Sequence, residues 1–251
     1  MNKRTRFLAG ALMFVLLCAG ATSLQAAEDP AFAKANQAYS EGRFQEAVDG
    51  YRSLVDTGRW HANLFYNLGN SWFRLGDFGK AILSYERARA LDPHHPEASA
   101  NLRLARDEAR ALELRKGRVE KYAAMATPTQ YSVAAAIALW FVLFGLTRLL
   151  FSPRRSAGRV AFIGCALVVF ALSAYALYTL ENGAHGRALA IVTGKDIEAR
   201  LATADNASSI LTLPAGSEVK VLSQRGDWVY ATLPNEQQGW IPARAVERVR
   251  L

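Results

Sequence analysis

Only two cysteines occur in the 251 residues, Cys18 and Cys165, and both lie inside apolar stretches. No disulfide framework can therefore brace the polar parts of the chain, which must fold by packing alone. Histidine is scarce as well: His61, His94, His95 and His185 fall in linkers or at turns, and none has a companion at metal-ligand or triad spacing. There is no glycine-rich phosphate loop. Neither cysteine is placed to act as a nucleophile. These absences argue against an enzyme and against any cofactor or metal. The long uncharged stretches also lack the buried acids or histidines that mark ion pathways, which argues against transport.

What the chain does have is apolar sequence in three blocks, residues 7–20, 131–151 and 160–180, within an overall 51% hydrophobic composition. The net charge of +8 is similarly local. Lys3, Arg4 and Arg6 precede the first block, and Arg148, Arg154, Arg155 and Arg159 crowd around the loop between the other two. Those are topogenic charges. The remainder is nearly balanced and has no basic-aromatic stripe, so no nucleic acid partner is expected.

Residues 1–26 have a basic start, an apolar core and the small-residue exit Leu24-Gln25-Ala26-Ala27, the layout of a secretory signal peptide cut after Ala26. Leu17 is too bulky for a lipoprotein site at Cys18. Residues 131–151 and 160–180 are each long enough to cross a bilayer as a helix. The alternative, a pair of buried core helices, would require a polar face that neither segment has. The loop 152–159 holds three arginines and no acid, so it should be cytoplasmic. Arg115, Lys116, Arg118 and Lys121 oppose it before the first span, and the signal sequence breaks the tie by exporting the segment behind it. The expected location is the inner membrane of a bacterium, multi-pass, with both soluble parts on the periplasmic side.

A shift of 34 residues superposes Tyr39 on Phe73, Gly42 on Gly76, Phe44 on Phe78, Ala47 on Ala81 and Tyr51 on Tyr85. The second copy reads Phe65-x2-Leu68-Gly69-x2-Trp72, then Ala81-x3-Tyr85 and Pro93, and resembles the tetratricopeptide repeat. The spacing predicts helix-turn-helix repeats over 28–61 and 62–95, with a capping helix over 96–124 built on the seam Ala98, Leu102, Ala105, Ala109 and Leu112, the whole module running 28–124. Asn36 and Asn70 are 34 apart, as are Asn67 and Asn101, and fall on the inner-helix register. A row of amides there suits an extended peptide, because each can donate and accept. Solvated helix positions are the alternative.

The segment 187–250 alternates short β-rich runs, 189–192, 197–201, 218–222, 227–233 and 239–241, with turn signals. The Leu213-Pro-Ala-Gly216 step, the Arg225-Gly-Asp227 turn and Gly239-Trp240-Ile241 together resemble bacterial SH3-like (SH3b) domains, which implies a five-stranded all-β barrel. Some members of that family bind cell-wall peptide through surface aromatics. Trp228 and Tyr230, two apart on one face of a strand, are the candidates here. At least one tryptophan is expected in the core of so small a barrel, Trp240 before Trp228.

The order of signal, repeats, two spans and terminal SH3-like barrel is similar to that of the Bat family of aerotolerance-operon proteins. That resemblance implies a non-enzymatic scaffold in an envelope complex with von Willebrand factor A-domain membrane proteins and a MoxR-type AAA+ ATPase, linked to oxidative-stress tolerance. A peptidoglycan-binding sensor is the other reading.

Overall fold

The computed structural model describes residues 29–151, 157–204 and 206–250. The expected signal peptide and residues 152–156 of the expected cytoplasmic loop lie outside the described residues.

Five helices open the described chain: α1 (Pro30–Ser40), α2 (Phe44–Asp56), α3 (Ala62–Arg74), α4 (Phe78–Leu91) and α5 (Pro96–Ala109). They stack as two helical hairpins and a cap. Side-chain acceptors start four of them, satisfying backbone N–H groups that a helix leaves orphaned. Asp29 accepts from the Ala31 amide, His61 from Leu64, Asp77 from Lys80 and His95 from Ala98. Two of the four histidines, 34 apart, are thus helix caps. Gly42 and Gly76 turn each hairpin at φ of +78° and +76°, where a side chain would be strained. Gly69 lets α3 and α4 touch: a Cβ there would sit 2.6 Å from the Tyr85 ring.

The expected helix over 96–124 is not formed as one piece. It ends at Ala109, where Arg110 takes the left-handed conformation at φ 50°, and a six-residue helix, α6 (Arg118–Ala123), comes after an extended stretch. The reason is competition from the C-terminal module. Glu218 donates its backbone N–H to the Leu112 carbonyl at 2.8 Å, and the Leu112 and Leu114 amides donate to the Ser217 hydroxyl and the Glu218 carboxylate. Leu112 then packs against the sheet instead of continuing the seam.

Helices α7 (Pro128–Phe151) and α8 (Ala157–Asn182) form a hairpin, and both are long and apolar enough to cross a membrane. They pack through Val142, Ile163 and Ala166, with Gly145 so close to Ile163 that a Cβ would come within 2.6 Å of it. Most of their large apolar side chains face outward, Trp140 at 73% exposure and Phe144 at 59% among them. A core helix of a soluble protein would bury them.

The described residues of the C-terminal segment form seven strands: β1 (Leu189–Val192), β2 (Ile197–Arg200), β3 (Ser209–Leu213), β4 (Glu218–Arg225), β5 (Trp228–Thr232), β6 (Gln238–Pro242) and β7 (Val246–Arg248). They pair antiparallel in the order β3-β2-β6-β5-β4-β1-β7, and the sheet is not closed. Five strands match the expected runs. The other two, β3 and β7, are the edges, where a short strand paired on one side leaves little periodic signal. Val192, Val219, Val229, Ala231 and Ile241 are among the side chains of its core.

Strand β1 is buried on both faces. Ala190 and Val192 enter the sheet core, whereas Leu189 and Ile191 join Ile82, Tyr85 and Leu102 of the helical repeats. Each such apolar side chain contributes about 1.5–3 kcal/mol on full burial. The repeats and the sheet therefore share a core.

Candidate functional site

The four asparagines form two copies of one hydrogen-bonded ladder. Asn36 Oδ1 accepts from the Tyr51 hydroxyl at 2.7 Å and from Asn67 Nδ2 at 2.9 Å. One repeat later, Asn70 Oδ1 accepts from Tyr85 at 2.8 Å and from Asn101 Nδ2 at 2.9 Å. The rungs link α1 to α3 and α3 to α5, so each inner helix is tied to the next by an amide and to its own partner helix by a tyrosine. Burial pushes Tyr51 up to about 12, partly countered by a hydrogen bond from Asn67, and Tyr85 higher still. Both phenols remain donors at any ordinary pH. Fixing the stack thus accounts for much of the hydrogen-bonding capacity of these amides.

Beside the second ladder lies a cavity of about 100 Å³ lined by Tyr39, Asn70, Phe73, Arg74, Asn101 and Leu104. Small-molecule sites usually run to about 300–1,000 Å³, so this space suits one side chain of a larger partner. Its rim is apolar and cationic: Leu104 is 49% exposed and Arg74 stacks over Phe44 at 4.7 Å. The sheet docks on α4 from the other side, where a Cβ on Gly79 would come within 3.2 Å of the Thr193 backbone. The inner-helix face stays open.

On the sheet, Trp228 and Tyr230 occupy one face of β5, opposite the buried Val229 and Ala231. Trp240 joins them rather than entering the core, because β6 turns Gly239 and Ile241 inward. Its ring lies 4.9 Å from that of Tyr230, whose hydroxyl donates to Gln238 at 3.0 Å. The expectation of a core Trp240 is corrected: small aliphatic side chains fill the interior, and all three aromatics are half-buried on the outer face.

Sequence reasoning did not find the charged cluster at the junction. Arg106 of α5 bridges Glu86 of α4, at 2.6 Å, and Glu218 of β4, and also reaches Glu113 at 3.3 Å. His185 Nε2 lies 3.0 Å from Glu218, and the Ala184 and His185 amides both donate to Glu120 of α6 at 3.1 Å. Burial alone would raise Glu218, but His185, Arg106 and the Leu114 amide hold it below the ordinary 4.5. Burial raises Glu86 against the pull of Arg106 and Arg89. The signal for this junction was present in the repeat comparison: Gln45, Asp49 and Arg52 are exposed in the first copy, whereas Gly79, Leu83 and Glu86 in the second are buried. Among the described residues no group of three His, Cys, Asp or Glu is placed to hold a metal.

No curated protein matches the chain. Residues 62–95, the α3–α4 hairpin and the turn after it, match the tetratricopeptide repeat family, and such repeats mark a module for protein–protein interaction.

Proposed function

We propose that the chain is a non-enzymatic, membrane-anchored scaffold that holds a protein partner in the groove of its helical repeats. The observation that carries this is the division of faces. The sheet covers the outer helix of the matched repeat, while the inner face keeps an open, side-chain-sized cavity between Phe73, Arg74 and Leu104. In this reading α7 and α8 are a membrane hairpin, supported by their outward-facing apolar side chains. The basic residues Arg148 and Arg159 at its connected ends then face the cytoplasm, and the repeats and sheet lie on the periplasmic side. The sheet is read as an SH3-like module, supported by its antiparallel pairing and its Gly-Trp-Ile strand. The order of the elements resembles that of the Bat family, and on that resemblance the partners would be von Willebrand factor A-domain membrane proteins and a MoxR-type AAA+ ATPase.

The test is photocrosslinking from a probe at Leu104 in native membranes, with Arg74→Glu as the control. Both positions are exposed and lie outside the ladder, so the fold is not the variable. A discrete protein adduct weakened by Arg74→Glu is expected. No adduct, or one indifferent to that charge reversal, removes the reading.

A second reading, a cell-wall sensor, is favoured by one observation, the outward cluster of Trp228, Tyr230 and Trp240. Full chain in detergent should then sediment with peptidoglycan sacculi, and Trp228→Ala should abolish it. A supernatant unchanged by sacculi rejects this idea.

A further inference from the structure

Two adjoining cavities, of about 580 and 460 Å³, open where the repeats, the sheet and the start of α7 meet. Ala90, Pro93, Pro128, Val249 and Arg250 belong to the walls of both, so they form one cleft. Pro128 is the first residue of α7. One end of the cleft is apolar, with Trp60 and Leu91 about half exposed. The other is cationic: five lysines and arginines line it against two carboxylates, Glu86 and Glu113, both already paired to Arg106. Lys116, Lys121 and Arg250 have no ion-pair partner among the described residues. Four buried side-chain polar atoms among the described residues have no hydrogen-bond partner, Nε of Arg87, Arg89 and Arg106 and Nδ1 of His185, and all four residues line this cleft. Three of those atoms are donors, and a buried donor left without an acceptor is unfavourable. An anion in the cleft answers the unpaired charge of Lys116, Lys121 and Arg250.

We infer that the cleft binds an anionic phospholipid, its phosphate among Lys116, Lys121, Arg89 and Arg250 and its apolar part against Trp60 and Leu91. The inference rests on the membrane reading of α7 and α8, which sets Pro128 at the headgroup level. A lipid is favoured over a free anion because the cationic end is continuous with an apolar one, and because Tyr122 and Met125, at 73% and 82% exposure, extend apolar surface just before α7. The occupied cleft would then lock the soluble modules against the bilayer.

The experiment uses the full chain in a zwitterionic detergent, with phosphatidylglycerol and phosphatidylcholine offered in equal amounts and bound lipid counted by native mass spectrometry. Phosphatidylglycerol should be preferred by about tenfold, and Lys116→Gln with Lys121→Gln, both exposed positions, should remove most of that preference. Equal uptake of the two lipids, or a preference that survives the double substitution, overturns the assignment. So does displacement of the lipid by inorganic phosphate, which would make this a free-anion site. Reconstitution into lipid nanodiscs is scored separately: a chain that will not insert overturns the membrane reading itself, whereas one that inserts without the preference overturns this inference alone.

Discussion

At the scale of single residues, the same side-chain type serves different ends according to what surrounds it. Asparagines read from sequence as peptide-binding positions turn their oxygens to Tyr51 and Tyr85, and histidines placed by sequence in linkers cap helices at His61 and His95. Glu218 is the residue with the clearest linkage to pH. Its folded-state carboxyl is held below the ordinary 4.5, so its contribution to stability is present above that value and is lost as pH falls through its depressed folded value. Glu86 is shifted upward, so its contribution runs the other way and softens the acid limb. Thermal melts between about pH 7 and about pH 3 should show the repeat–sheet unit losing stability below the ordinary carboxylate range. Glu218→Gln should give a lower and flatter profile. An acid limb as steep in that variant as in the unmodified protein would assign the effect to other carboxylates.

At the scale of elements, β1 decides how the two modules meet, because a strand of four buried residues serves two cores at once. Ile191→Ala should cost about 2–5 kcal/mol, through lost burial and a cavity at the junction. Leu222→Ala, on the same sheet but 44% exposed, should cost under about 1 kcal/mol. Chemical denaturation of the two variants checks this, and equal midpoints would mean that the junction carries no stability. The element scale also shows what sequence could convey. The 34-residue repeat is legible because local spacing dictates it, and so are the two apolar helices, whose composition is one-sided. The break after Ala109 was hidden: the seam of Ala105, Ala109 and Leu112 is a sound helical pattern, and it fails only because β4, over 100 residues later, offers the backbone other partners. The open sheet was hidden for a related reason, since edge strands β3 and β7 carry little alternation of their own. Of the candidate site, the positions of the asparagines were legible and their partners were not, since in sequence Tyr51 and Tyr85 stand out only as equivalent positions of the repeat.

At the scale of the whole molecule, the repeats, the sheet and the base of the hairpin are joined through one buried network running from Glu86 through Arg106, Glu218 and His185 to the amide-bound carboxylate of Glu120. Two small repeats are marginal alone, and an open sheet is also incomplete, so each supplies the other's missing face. That arrangement leaves the inner groove free for a partner and sets it at a fixed orientation to α7 and α8. The claim that the modules form one unit is tested most directly by calorimetry of the full chain with Leu83→Asp, which restores the residue that the first repeat carries at the equivalent position, Asp49. The unmodified protein should melt its repeats and sheet in a single transition, and Leu83→Asp should split it in two by undocking the sheet from α4. Two independent transitions in the unmodified protein, or a profile that Leu83→Asp leaves unchanged, would contradict the account.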